Sequence, residues 1–412
     1  MRWKAWIGLA ALCLAGMSGP ASAEWITSWA AAPLPPAPVM GPIPATPAFE
    51  NRTLRQIVRL SAGGQAVRLR LTNAYGEKPL AIGAARVALL DAAGSEIAGT
   101  SRMLGFGGQK AATVPQGAPL LSDPVRLAVP ALARMAITLY LPDATGPCTC
   151  HATGLDRLEI SEPGDFSAAP FAPAQVGSVR AFLASVEVDA PQGAATVAVL
   201  GDSISDGVGS TPEKNRRWPD LLAERLAARD GATWGIANQG ISGNRVLNGG
   251  MGESALARFD RDVLSLPGVK AVIIFEGVND LGIGHARLEG TPPAFFTQFG
   301  GRGVTGEQII EGYRQLIARA HGRGIRVYGA TIAPYKGATY WSEAGEAERV
   351  KVNDWIRTSG AFDAVLDFDR ALADPADPQR MAPGLHMGDF LHGSDEGYRR
   401  LAQSIDLALF GR

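Results

Sequence analysis

Cysteine is scarce, with three residues in 412. Cys13 lies in an apolar stretch at the start, which leaves only Cys148 and Cys150 for the rest of the chain. That excludes a small scaffold held together mainly by disulfides. Charge of one sign is also lacking. Lys and Arg number 39 against 40 for Asp and Glu. No basic excess points to nucleic acid, and no acidic tail points to a solvated segment. Beyond residue 23 no apolar run reaches the roughly 20 residues that span a bilayer. No internal repeat is present. Charged residues make up only 19% and hydrophobic ones 46%, so a sizeable core can be buried and wholesale disorder is excluded.

What is present divides into three parts. Arg2 and Lys4 precede an apolar run from Ala5 to Gly19, and Pro20-Ala21-Ser22-Ala23 offers a small-residue cleavage site. Residues 1–23 are therefore expected to be a secretory signal cleaved after Ala23. The expected product is exported, periplasmic or secreted, with no integral membrane segment.

Residues 24–190 are expected to form a β-rich domain. Val67, Leu69 and Leu71 alternate with Arg68 and Arg70, the period of a strand. Similar short runs recur at 80–90, 125–129, 135–141 and 182–188, a spacing that suggests a sandwich or jelly roll. Gly63-Gly64 reads as a hairpin turn between two such runs. The Pro-rich stretch from Pro33 to Pro47 reads as an extended arm. Residues 195–412 follow another rule. Short, unalternating apolar runs at 196–200, 234–237, 269–275, 325–332 and 364–368 have the character of buried parallel strands. Helical patterns lie between them, at 218–229, 254–266, 308–321 and around 350–356. Thr305 and Gln308 form a capping box. The expectation is a three-layer α/β/α domain with ligands at the C-terminal edge of its sheet.

Four polar turns converge on that edge: Gly201-Asp202-Ser203, Asn238-Gln239-Gly240-Ile241-Ser242-Gly243-Asn244, Glu276-Gly277-Val278-Asn279-Asp280, and Asp389-Phe390-Leu391-His392-Gly393. A serine hydroxyl needs an adjacent base to become a nucleophile. Of five histidines, only His392 has a carboxylate three residues upstream in a loop leading to a helix. Asp389 would orient His392, and His392 would take the proton of Ser203. The Ser203 and Gly240 backbone N–H groups and the Asn279 amide would hold an oxyanion. His386 is a competing base. Asp202 reads as a turn-stabilising residue. Gly207-Val208-Gly209 lacks the lysine of a phosphate loop, and the surroundings of Ser203 lack the G-x-S-x-G elbow of α/β-hydrolases. Cys148-Thr149-Cys150-His151 fits a local disulfide or a loop with two thiols. A metal site there would need a fourth partner that the sequence does not offer.

These four blocks, in this order, resemble the SGNH hydrolases, or GDSL esterase/lipase superfamily, over residues 195–412. The front half makes the whole chain similar to exported bacterial members of the acetylxylan-esterase-like and arylesterase-like kind. The resemblance implies a flavodoxin-like fold, Ser203, His392 and Asp389 as a catalytic triad, Gly240 and Asn279 in the oxyanion hole, and no metal or cofactor. Gly393 departs from the proline that often follows the histidine.

The expected activity is hydrolysis of short-chain esters, O-acetyl groups on a polysaccharide among them, with a small-molecule or polysaccharide ester as partner. Lysophospholipase, thioesterase and O-acyltransferase activities remain open. So does a carbohydrate-binding surface protein with an idle hydrolase fold. Residues 281–303 are a candidate lid or pocket wall, and Trp218, Tyr340 and Trp341 are candidates for stacking on a sugar, each equally readable as packing. Oligomeric state is not encoded in any of these patterns.

Overall fold

The computed structural model describes residues 24–37, 45–229, 233–288 and 303–411. The expected signal, most of the expected lid and the middle of the Pro-rich arm lie outside the described residues.

The front half is built mainly of two antiparallel sheets, with two short two-stranded ones beside them. One joins Glu24–Ala30, Leu183–Ala190 and Gly64–Thr72, with Pro119–Leu121 and Val125–Val129 both paired to Gly64–Thr72. The other runs Gln175–Gly177, Leu158–Pro163, Arg52–Arg59, Arg134–Leu141, Ala84–Leu90, Arg102–Leu104. The period-two pattern explains the layering. Val67, Leu69 and Leu71 are fully buried and join Leu54, Ile137 and Leu139 of the other sheet in one apolar cluster. Arg68 and Arg70 share the carboxylate of Glu187 on the neighbouring strand, at 2.6 and 3.2 Å.

The Gly63-Gly64 hairpin does not form. Arg52–Arg59 and Gly64–Thr72 lie in different sheets, and the chain crosses between them here. The glycines serve close backbone approach instead. A Cβ on Gly64 would lie 2.6 Å from the Asp189 carbonyl oxygen, and one on Gly63 would strike that of Val129.

The second half is a parallel sheet of β1 (Ala195–Gly201), β2 (Trp234–Gly240), β3 (Val269–Phe275), β4 (Arg326–Ala330) and β5 (Ala364–Leu366), in the order β2-β1-β3-β4-β5. This is the flavodoxin-like order, whose switch point falls between β1 and β3. Every residue of β1 is buried, as a strand covered on both faces requires. The helices are α1 (Ser203–Asp206), α2 (Trp218–Ala227), α3 (Ala255–Phe259, continued by a π turn, Asp260–Leu264), α4 (Val278–Leu288), α5 (Gly306–His321), α6 (Glu343–Thr358), α7 (Phe368–Leu372) and α8 (Asp395–Ser404). The capping box at Thr305 and Gln308 opens α5. Among the described residues no helix is long and apolar enough to cross a membrane.

The halves are joined by hydrogen bonds as well as by packing. Thr27 N–H donates to Thr196 Oγ1 at 2.9 Å, and Ile236 N–H donates to Ser61 Oγ at 2.7 Å. Arg59 pairs with Glu224 at 2.8 Å, and the Arg217 guanidinium donates to the Gly154 carbonyl at 2.5 Å.

Candidate active site

The chain leaves β1 at Gly201 and turns at once into α1. Asp202 caps that helix, accepting the Ile204 N–H at 2.9 Å, so the first helical residue is Ser203. Its own N–H has no helical acceptor, and makes no hydrogen bond to the protein among the described residues. The α8 side supplies the rest. Asp389 Oδ1 accepts the backbone N–H groups of Leu391 and His392, at 3.0 and 2.9 Å. Its Oδ2 accepts His392 Nδ1–H at 2.6 Å. That bond sets the tautomer, leaving Nε2 to accept the Ser203 hydroxyl at 2.8 Å. Partial burial would raise the Asp389 carboxyl, but the hydrogen bonds from the His392 ring and the two backbone N–H groups, with the His392 charge, hold it down at about 2.

The loop is shaped by Phe390, which adopts φ +60°, a strained value for an aromatic residue. Its ring packs 4.4 Å from the His386 ring, under the Arg380 guanidinium at 4.8 Å. His386 Nδ1 accepts the Gly388 N–H at 3.0 Å, and it is His392, not His386, whose ring meets Ser203 Oγ. A Cβ at Gly393 would sit 3.0 Å from the Tyr398 ring, so the missing side chain lets α8 close on the His392 loop.

Gly240 does not take the expected place. Its N–H donates to Asn238 Oδ1 at 3.0 Å, and a Cβ there would lie 2.5 Å from the Asp206 nitrogen. It is a packing glycine that lets β2 approach α1. Gly243, three residues on, sits at φ +77°, and its N–H makes no hydrogen bond to the protein among the described residues. The loop around Gly243 is held on every side. Ser242 N–H and Oγ–H donate to Asp206 Oδ2, at 3.1 and 2.7 Å. Asp280 accepts the N–H groups of Val246 and Leu247. Asn279 Nδ2 donates one N–H to the Asn244 carbonyl at 2.9 Å, leaving the amide's other N–H. Tyr340 orients that amide, donating to Asn279 Oδ1 at 3.1 Å.

Beneath the site lies Arg258, fully buried. Its guanidinium donates to the carbonyls of Gly201 and Gln239 and reaches Asn244, Asp262 and Glu276, so one side chain ties the ends of β1 and β2 to the loop after β3. The acids here are shifted. Burial pushes Asp202 up to about 7, against the Ile204 N–H and the His392 charge, with Asp280 and Asp206 adding to the rise. Burial likewise takes Asp280 to about 6, despite its two backbone donors. Glu276 is raised well above the ordinary range by burial and by the Asp202 charge, with Arg258 opposing.

Trp218 and Tyr340 are core residues, the first set edge-on to Phe368, the second bound to Asn279; neither is a platform for a sugar. Sequence reasoning passed over Gly243, Asp206, Arg258 and His151. Gly243 was visible as the second glycine of its loop, but spacing alone does not say which glycine keeps a free N–H. The other three leave little local signal, because all their partners but Asp262, four residues after Arg258, are far along the chain.

Residues 199–400 match the GDSL-like Lipase/Acylhydrolase family, and this half of the chain belongs to it. The protein is thus an ester hydrolase by family. Solved structures similar to it include a lipase/acylhydrolase from Enterococcus faecalis, 20% identical over 51% of this chain and 92% of that one, with a TM-score of 0.38. A GDSL-like lipase from Bacteroides thetaiotaomicron is 18% identical over 52% and 87%, with a TM-score of 0.37. An acetyl xylan esterase is 22% identical over 51% and 96%, also at 0.37. No curated protein matches the chain.

Proposed function

We propose that the protein is an exported serine esterase acting on short-chain carboxylic esters, with O-acetyl groups of a polysaccharide as its natural substrate. One observation carries this reading: the unbroken line from Ser203 Oγ through His392 to Asp389, with links of 2.8 and 2.6 Å. Ser203 Oγ attacks the ester carbonyl carbon as its proton passes to His392 Nε2. Asp389 holds the imidazolium in place. The carbonyl oxygen becomes an oxyanion held by the N–H groups of Ser203 and Gly243 and the free N–H of Asn279. Collapse breaks the ester bond, and His392 returns the proton to the departing alcohol. Water, deprotonated by His392, then attacks the acyl-enzyme and releases the acid and Ser203.

Beside the oxyanion loop a cleft of about 370 Å³ offers room for the alcohol part of the ester. Both halves line it, with Thr153 and Arg157 from the front half and Glu213, Ser242 and Met251 from the back. The test is hydrolysis of p-nitrophenyl esters from C2 to C12 by the protein and by Ser203→Ala, followed by acetate release from acetylated xylan. Ser203-dependent activity greatest at C2, with acetate release, is the expected result. A maximum at long chains would replace it with lysophospholipase or thioesterase activity. Transfer to a sugar hydroxyl without hydrolysis would make it an O-acyltransferase. Inertness toward every ester with sugar binding intact would leave a carbohydrate-binding protein.

A further inference from the structure

We infer that His151, from the β-rich half, is a positioning residue for the chemistry at Ser203. The inference rests on the esterase reading. Asp206 is the last residue of α1, the helix that Ser203 begins, and it is nearly fully buried. Its Oδ2 binds the N–H and hydroxyl of Ser242, the residue before Gly243. Asp206 therefore links the nucleophile turn to the loop carrying the second oxyanion donor. Its Oδ1 accepts from His151 Nε2 at 2.8 Å. The other ring nitrogen, Nδ1, lies 3.0 Å from the Ala32 carbonyl. The buried ring is thus held at both nitrogens, by the Asp206 carboxylate on one side and the Ala32 carbonyl on the other. Burial alone would raise the Asp206 carboxyl. The His151 charge and hydrogen bond, the Arg217 charge and the Ser242 hydroxyl outweigh it and hold the group below its ordinary value.

His151 is itself anchored. It follows the Cys148–Cys150 disulfide, and Leu34 N–H donates to the Cys150 carbonyl at 2.9 Å. Thr153, two residues on, hydrogen-bonds Ser242 Oγ at 3.0 Å. One short segment of the front half thus touches both Asp206 and the oxyanion loop. Without the His151 bond, Asp206 is left as a buried carboxylate with an empty acceptor site, a state that favours rearrangement of α1 or of the Ser242 loop. A shift of about 1 Å between nucleophile and oxyanion donors is enough to cost roughly a hundredfold in rate.

The test compares the full chain with His151→Ala, His151→Gln and His151→Asn. It measures kcat and KM on p-nitrophenyl acetate, the rate of Ser203 inactivation by a p-nitrophenyl phosphonate, and Tm. The expected result for His151→Ala is a loss of about ten- to a hundredfold in kcat and in inactivation rate, with KM unchanged. His151→Gln, whose amide N–H can donate to Asp206, recovers most of that loss, whereas the shorter His151→Asn does not. A lowered Tm with wild-type kcat would overturn the inference and leave His151 as interface packing alone. So would a loss in His151→Gln as deep as in His151→Asn, the pair that decides the matter if His151→Ala does not fold. If the unsubstituted protein reacts with neither ester nor phosphonate, the esterase reading itself fails, and this inference with it.

Discussion

Two histidine–carboxylate pairs meet the Ser203 turn, and they differ in what stands on the far side of each ring. His392 has Asp389 at one nitrogen and the Ser203 hydroxyl at the other. His151 has Asp206 at one nitrogen and the Ala32 carbonyl at the other. A hydroxyl can give up a proton; a carbonyl can only accept a hydrogen bond. The first ring can therefore gain and lose a proton in a cycle, and the second is fixed between two oxygens with no group to exchange a proton with on its far side. Exposure follows the same division. The His392 and Asp389 side chains are 18% and 39% exposed, those of His151 and Asp206 6% and 3%. On the proposed reading, like residue pairs thus serve a reaction in one place and a joint between two halves in the other.

Substitutions at the first pair should produce the largest effects. Ser203→Ala or His392→Ala should lower kcat on p-nitrophenyl acetate by about 10⁶-fold while circular dichroism and Tm stay near the unsubstituted values. Equal activity in His392→Ala would break the contrast at once. Asp389→Asn comes next, with a loss of about 10⁴-fold in kcat, because the ring loses the partner that sets its tautomer.

Acid titration sharpens the comparison through stability. Asp389 titrates near 2 in the folded protein, below the unfolded aspartate value of about 3.9. Its contribution is complete above about pH 4 and is lost as pH falls toward 2. Asp202 has the opposite sign. It titrates near 7 when folded, so its contribution is full below about pH 4 and declines as pH rises toward 7. Urea unfolding across pH 2 to 8 should show Asp389→Asn losing slope at the acid end and Asp202→Asn losing it between about pH 4 and 7. The smallest effect belongs to the segment that carries His151. Replacing Cys148 and Cys150 together with Ser opens a very short loop and should cost about 1–2 kcal/mol of unfolding free energy.

Legibility in the sequence followed distance along the chain. The strands at 125–129 and 269–275 were readable to the residue, because alternation and unbroken apolarity are local consequences of one covered face or two. The Thr305 capping box was readable because its two bonds span three residues. Asp389 and His392 were readable as a pair for the same reason. Gly63-Gly64 was misread because a pair of glycines looks alike in a tight turn and in a crossing between sheets. Gly240 was misread because two glycines share its loop, and only the contact with Asn238 decides which N–H is spoken for. Trp218 and Tyr340 looked available until the packing of α2 and the bond to Asn279 placed them inside.

By itself, then, the sequence determined the kinds of element, their order, and the set of reactive side chains at the strand ends. Those depend on residue type and on spacings of a few residues, where backbone period and short-range hydrogen bonds act. Only the tertiary structure decided which backbone N–H groups remain unpaired, and that Asp206 is held by a histidine 55 positions away in the other half. Such pairings depend on which strand ends the sheet order brings together, and no local period carries that information.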